Sequence, residues 1–317
     1  MVSYPVIIHA VLMVYGVIGL GIFLGKGEWL SQGVDRSLGK IVVQVLYPAL
    51  IFDKIAGNPS LADTGNLVWA PAIGLVAVCT GYLVCWMVAP LFGLRNRQER
   101  GTFSFTAGMF NYGFIPITLA LALFDDRTVG VIFLHNVGVE VVLWSIGLIV
   151  LTGRWEAGLL KRMFNMPLVA IAVSVPLTLL SLDGYIPAFL RASIHLLGSA
   201  AIPMALVVIG MHMGEHLGRN ISREAIKVGA AGVLIRLGIL PVLMLALANL
   251  APISIELKRV VVLQAAMPSA VFPVVLARVY GGDPRTATRV ILATSVLSLF
   301  TIPLWIMIGM QWLGLGA

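Results

Sequence analysis

Two full charges stand deep inside apolar stretches of the chain, Glu140 and Arg236. A charge at the centre of a bilayer costs roughly 2.5–3.5 kcal/mol on insertion scales, so such a residue is read first as functional. Glu140 lies one helical turn after Asn136, on the same face, and His135 adjoins Asn136. Carboxyl, amide and imidazole at this spacing could pass a proton, since carboxyl and imidazole both exchange protons in the accessible pH range. Their oxygens could equally ligate sodium. A third reading is structural, with Glu140 and Arg236 paired to each other. Arg236 alone could hold a substrate carboxylate through its guanidinium, or brace two helices.

Polar residues also gather beside prolines in two places. One stretch reads Gly108-Met-Phe-Asn-Tyr-Gly-Phe-Ile-Pro116, the other Ala265-Ala-Met-Pro-Ser-Ala-Val-Phe-Pro273. Proline lacks the backbone donor and clashes with the carbonyl one turn back, so the helices here are expected to break at Pro116 and Pro273. Irregular backbone at bilayer depth survives only inside protein or along a wet cavity. Amides freed at the start of each half-helix would favour an anion. The candidate substrate-binding residues are therefore Asn111, Tyr112, Gly113 and Pro116 at the first break, Gln264, Met267, Pro268, Ser269 and Pro273 at the second, and Arg236. Asn111 could cap a broken end. Tyr47 precedes Pro48 and could line the cavity, with packing the preferred reading.

The elements that must position these residues follow from composition. Charged residues make up 11% of the chain, against roughly 25% in a soluble protein. Apolar residues make up 59%, and the mean hydropathy is +1.00. Lipid must cover that much apolar surface, and a span needs about 20 apolar residues. Ten apolar runs are legible: Pro5–Gly25, Leu38–Ile55, Asn66–Leu94, Gly101–Phe124, Thr128–Thr152, Met166–Leu182, Ile194–Gly214, Ala225–Leu250, Val260–Tyr280 and Ala287–Leu315. The expected fold is all-α and integral to the membrane. The first cation, Lys26, follows the first run, which is the pattern of a retained helix rather than a cleaved leader.

Cations set the orientation. Connections after odd-numbered runs hold Lys26, Arg36 and Lys40; Arg95, Arg97 and Arg100; Arg154, Lys161 and Arg162; Arg219, Arg223 and Lys227; and Arg278, Arg285 and Arg289. Connections after even-numbered runs hold only Lys54, Arg127, Arg191, Lys258 and Arg259. By the positive-inside rule the first set is cytoplasmic, so both termini face outside a plasma or inner membrane.

An internal repeat underlies the ten runs. Arg36 to Pro48 repeats the spacing of Arg191 to Pro203, and aligning Pro116 with Pro273 brings Leu119, Ala120 and Asp126 onto Leu276, Ala277 and Asp283. The repeats are 1–157 and 158–317. Five helices per repeat is an odd number, so the copies point in opposite senses across the bilayer, the arrangement that puts a transporter's substrate at the midplane.

Here the chain resembles a known family. Leu46-Tyr-Pro-Ala-Leu-Ile-Phe52, Asn111-Tyr-Gly-Phe-Ile-Pro116, Ala201-Ile-Pro-Met-Ala-Leu206 with Gly210, and Ala265-Ala-Met-Pro-Ser-Ala270 are similar to the auxin efflux carriers, whose bacterial members include malonate transporters. The resemblance implies that the fourth and ninth helices cross where they unwind. It implies a scaffold of helices 1, 2, 6 and 7 that dimerises, and a moving transport unit of helices 3–5 and 8–10. Asn111 matches the family's asparagine before the first break, whereas the paired position in the second repeat is Pro268. The expected function is secondary transport of a small organic anion such as malonate by alternating access, coupled to H⁺ through Glu140, His135 and Asn136, coupled to Na⁺, or uncoupled.

Other classes have less to stand on. A gated channel would need a continuous polar path, and the sequence offers polar spots at one depth. No HExxH, P-loop or paired-acid set supports an enzyme or an ATP-driven pump. His212 and His216 share a helix face, yet nothing completes a metal site. Cys79 and Cys85 are not at ligand spacing, and scattered cations do not form a nucleic-acid surface. No cofactor is expected.

The orientation has a direct check. With Arg127→Cys and Arg97→Cys, a membrane-impermeant maleimide is expected to label position 127 in intact cells and position 97 only after permeabilisation. The opposite pattern would invert the topology.

Overall fold

The computed structural model describes residues 3–27, 33–154, 165–214 and 223–315. Lys161, Arg162, Arg219, His216 and the junction between the two repeats lie outside the described residues. In chain order the helices are α1 (Tyr4–Lys26), α2 (residues 34–55), α3 (Thr64–Phe92), α4 (Arg97–Gly108), α5 (Phe114–Leu123) and α6 (Asp126–Thr152). Then follow α7 (Met166–Leu179), α8 (Ala188–Gly214), α9 (Arg223–Leu250), α10 (Ile255–Ala266), α11 (Pro273–Val279) and α12 (Pro284–Trp312). The protein is all-helical among the described residues. Six of these helices, α1, α3, α6, α8, α9 and α12, are each long and apolar enough to cross a membrane. Large apolar side chains such as Leu83, Phe189, Leu196 and Phe300 are exposed on the outer surface, as lipid contact requires.

Several helices begin before their apolar runs, because polar caps start them. Asn96, Asp125, Ser254 and Asp283 each accept a backbone N–H in the first turn of α4, α6, α10 and α12. Asp125 and Asp283 open the same Asp-x-Arg-Thr box, in which the threonine donates through both its N–H and its hydroxyl, Thr128 to Asp125 and Thr286 to Asp283. The cap equivalent to Asp283 is therefore Asp125. Asp126, matched to it by sequence alignment, is instead the first helical residue and meets Lys54 at 3.2 Å.

The prolines do not break their helices. The backbone leaves the helix over residues 109–113 and 267–272, and the prolines lie just beyond. Pro273 opens α11 and Pro116 is the third residue of α5. A first turn suits proline, since its missing N–H would have had no intrahelical acceptor there.

Small residues bring the helices close. α1 runs along α8, with Gly21 facing Gly210, Gly25 against the backbone of Met211 and Gly214 against that of Ile22. A side chain at Gly210 would run into the carbonyl oxygen of Ile18. Gly74 of α3 and Gly138 of α6 do the same for another pair, each lying against a carbonyl of the other helix, His135 and Pro71. Backbone contact of this kind is the usual source of helix association in lipid, where apolar side chains gain little from meeting one another. Three π-turns, Val42–Leu46, Leu143–Gly147 and Leu234–Ile239, rotate the side chains that follow; the last contains Arg236.

Gly210→Leu is expected to lower thermal stability in detergent by about 1–3 kcal/mol or more, the cost of overpacking, because backbone rather than a flexible side chain must yield. Unfolding at the wild-type temperature would show that α1 and α8 do not meet there.

Candidate functional site

The two unwound segments meet. Phe110 and Ser269 form an antiparallel bridge. The Asn111 N–H donates to the Pro268 carbonyl at 2.7 Å, and the Ala270 N–H donates to the Met109 carbonyl at 3.1 Å. Each break thus satisfies part of the other's freed backbone, as burial in a bilayer demands. The exchange is uneven, since Pro268 has no N–H to return to Asn111. Asn111 Oδ1 accepts the Gly113 N–H at 3.3 Å, so it supports the turn out of the break rather than capping α5 itself. The Ser269 N–H donates to Thr294 Oγ1 on α12 at 3.3 Å.

Beside this crossing lies the Glu140 carboxylate. Tyr112 donates its hydroxyl to Oε1 at 2.7 Å, and Trp144 donates its indole N–H to Oε2 at 2.7 Å. Asn136 Nδ2 donates to the Tyr112 carbonyl at 2.8 Å, while Asn136 Oδ1 accepts from Gln264 Nε2 at 3.3 Å. α6 is thereby tied to the first break and to the last turn of α10, just before the second. Tyr47, Tyr112, Phe133, Asn136, Glu140 and Asn165 border a cavity of about 30 Å³, room for about two waters. Tyr47, open to both readings in the sequence, packs on Phe114 and Phe133 and lines this cavity as well.

His135 does not face Glu140. It is fully buried against Gly74 and the Phe110 ring, and meets only the amide of Asn136, Nδ1 to Oδ1 at 3.4 Å. That oxygen can only accept, so Nδ1 carries the hydrogen. Of the three residues expected to pass a proton, His135 thus reaches Glu140's neighbour Asn136 and not Glu140 itself, since five residues along a helix turns a side chain to another face.

Arg236 does not pair with Glu140 either. Its side chain is 1% exposed. Nη2 donates to the Ala265 carbonyl at 3.1 Å and to Met244 Sδ at 3.5 Å, and the guanidinium lies 5.5 Å from the Phe110 ring centre. It sits behind the crossing, at the C-terminus of α10, where a helix dipole favours a cation. It does not line the cavity. Gln264 and Met267 are wholly buried, and Pro116 and Pro273 act through the backbone.

Among the described residues, four buried polar atoms at or beside the crossing have no protein hydrogen-bond partner: His135 Nε2, Arg236 Nε, Gln264 Oε1 and Ser269 Oγ. Sequence reading missed Trp144, Phe110 and Thr294. Trp144 was detectable, lying four residues after Glu140 on one helix face; Phe110 and Thr294 carry no local signal. His212, considered for metal, pairs with Asp35 at 3.1 Å. Among the described residues no group of three ligating side chains could hold a metal.

A family model described as membrane transport protein matches residues 6–166 and 157–306. The chain belongs to this family, that of the auxin efflux carriers. It is similar to an uncharacterized transporter of Methanothermobacter thermautotrophicus, 25% identical over 94% of this chain and 96% of that one. An uncharacterized transporter of Methanocaldococcus jannaschii is 26% identical over 93% of this chain and 96% of its own length. The uncharacterized transporter YfdV of Escherichia coli is 26% identical over 90% and 92%. The protein is accordingly a multi-pass membrane transporter.

In a transporter of this family, a buried cation without an acid partner is a cost in stability that function must justify. Arg236→Met is expected to melt at or above the wild-type temperature, because lost desolvation cost offsets the lost bond to Ala265. Uptake into proteoliposomes is expected to fall roughly tenfold, equivalent to about 1.4 kcal/mol. A large drop in stability would instead make Arg236 a brace.

Proposed function

We propose that this transporter is a secondary carrier of a small organic anion, malonate or another carboxylate, working by alternating access with Glu140 as the proton-carrying group. The observation that carries this reading is the charge arrangement at the crossing. Arg236 is positive and Glu140 negative, yet they hold separate partners. With Glu140 ionised the two charges cancel. With Glu140 protonated the crossing is left with a net positive charge, and an anion gains by entering. Proton and anion then travel together.

Both Glu140 oxygens already accept one O–H or N–H donor, which leaves each a lone pair for a proton or for sodium. A sodium-coupled carrier would use the same carboxylate.

The architecture suited to this mechanism is ten spans in two inverted five-helix repeats, with helices α1, α2, α7 and α8 as a scaffold, dimeric through that face, and the remaining helices as the moving unit. Four caps support it. Asn96 stands as far before Ser254 as Asp125 stands before Asp283, and the half-helices that Asn96 and Ser254 start, α4 and α10, have twelve residues each. Asn111 and Pro268, equivalent when Pro116 is aligned on Pro273, are also the residues that touch. Pro268 in place of a second asparagine makes the two halves of the crossing chemically unlike, and speaks for a substrate other than auxin. Both termini face outside in this arrangement.

Proteoliposomes test the function. Malonate and other mono- and dicarboxylates are expected to accumulate under an inward proton gradient, and Glu140→Gln to abolish accumulation while leaving exchange across the membrane intact. Accumulation driven by sodium alone would remove the proton from the mechanism; no carboxylate flux under proton, sodium or zero gradient would remove the substrate class.

A further inference from the structure

Glu140 touches both interrupted segments through different intermediaries. Tyr112, which donates to Oε1, is itself a residue of the first break, and its carbonyl is held by Asn136. Trp144, which donates to Oε2, packs its ring edge-on against Phe272 in the second break, centres 6.3 Å apart. Neither contact is a lone surface feature, for Glu140, Tyr112 and Asn136 border the same cavity. We propose that Tyr112 and Trp144 are positioning residues that transmit the protonation of Glu140 to the crossing, Tyr112 to residues 109–113 and Trp144 to residues 267–272.

The proposal rests on Glu140 as the proton carrier and adds how the proton moves the backbone. A hydrogen bond to an ionised carboxylate is roughly twice as strong as one to a neutral carboxyl. A proton arriving from water through the cavity binds one Glu140 oxygen; no other bond is made or broken covalently. The protonated oxygen keeps a lone pair but accepts far more weakly, so the bond from the hydroxyl or indole facing it is weakened. A tyrosine hydroxyl can also turn and accept the new proton, whereas an indole N–H cannot accept, so Trp144 only loses grip if Oε2 takes the proton. Both responses loosen a hold on an unwound segment while the helices around it stay packed.

Few other titratable groups face this carboxyl. Tyr47 approaches from α2 and Tyr112 from the first break, with Tyr82 of α3 behind Tyr112. α7 contributes Asn165 to the cavity and α10 contributes Gln264 through Asn136. His135, on α6 itself, faces α3 and Phe110. A pH response of the breaks therefore runs through Glu140.

The experiment needs no identified substrate. Purified full-length protein in nanodiscs is titrated while infrared difference spectra follow the carboxyl C=O band lost in Glu140→Gln, and hydrogen–deuterium exchange at one fixed pH follows the two breaks. Tyr112→Phe and Trp144→Phe are each expected to move the band's midpoint to higher pH by about one unit, tenfold in proton affinity, since each removes a donor to the ionised form. Tyr112→Phe should speed exchange in residues 109–113 and Trp144→Phe in residues 267–272. Combining either with Glu140→Gln should add nothing further at the segment concerned. Additive effects, or loosening of both segments alike by either variant, would reduce the two residues to ordinary packing and overturn the proposal. A wild-type spectrum with no titrating Glu140 band between pH 4 and 9 would overturn the proton-carrier reading, and this proposal with it. Should Tyr112→Phe not fold, Trp144→Phe alone still decides through its own segment.

Discussion

A backbone that leaves the helix inside a bilayer must find its hydrogen bonds within the protein, and here each break finds them in the other. The bonds from Asn111 to Pro268 and from Ala270 to Met109 join segments that are far apart in sequence. Without that exchange, unmet amides and carbonyls would face hydrocarbon at several kcal/mol apiece. Everything that gives the site its chemistry hangs from this contact. It fixes Phe110 over Arg236, presents Tyr112 to Glu140 and turns Ser269 toward Thr294. The proline in the second segment leaves the exchange one bond short, which keeps the crossing from being a closed ladder.

Around the contact, the two membrane charges divide the work. Arg236 is held by a carbonyl, a sulfur and a ring, none of which can take its charge. Glu140 is held by two neutral donors that stabilise its ionised form. Had the two been paired, protonation of Glu140 would have had to break a buried ion pair, a strongly unfavourable step. Kept apart, they suit the proposed mechanism, in which Arg236 is the fixed positive charge and Glu140 the group that gains and loses a proton.

Rigid packing elsewhere makes this local freedom possible. Glycines on α1 and α8, and on α3 and α6, let backbones touch, so those pairs resist sliding or tilting. Two of the three irregular turns named above fall where the charges sit, with Trp144 in one π-turn and Arg236 in another. A turn that takes in one extra residue re-aims the side chains beyond it.

Sequence by itself determined the environment and the neighbourhood of the site. Scarcity of charge required lipid, and membership of the membrane transport family is consistent with it. The prolines and their polar flanks located both breaks to within a few residues, because a proline tolerated in a helix's first turn marks where that helix begins. Helix starts were equally legible once capping residues were weighed with hydropathy. Only the tertiary structure decided who holds whom. That Glu140 binds Tyr112 and Trp144 rather than Arg236, and that His135 turns toward α3, depends on helix rotation and close approach between elements distant in the chain. Periodicity gives a face of a helix, but the partner of that face is set by where glycines allow contact and where π-turns shift the register. Neither is additive along a sequence.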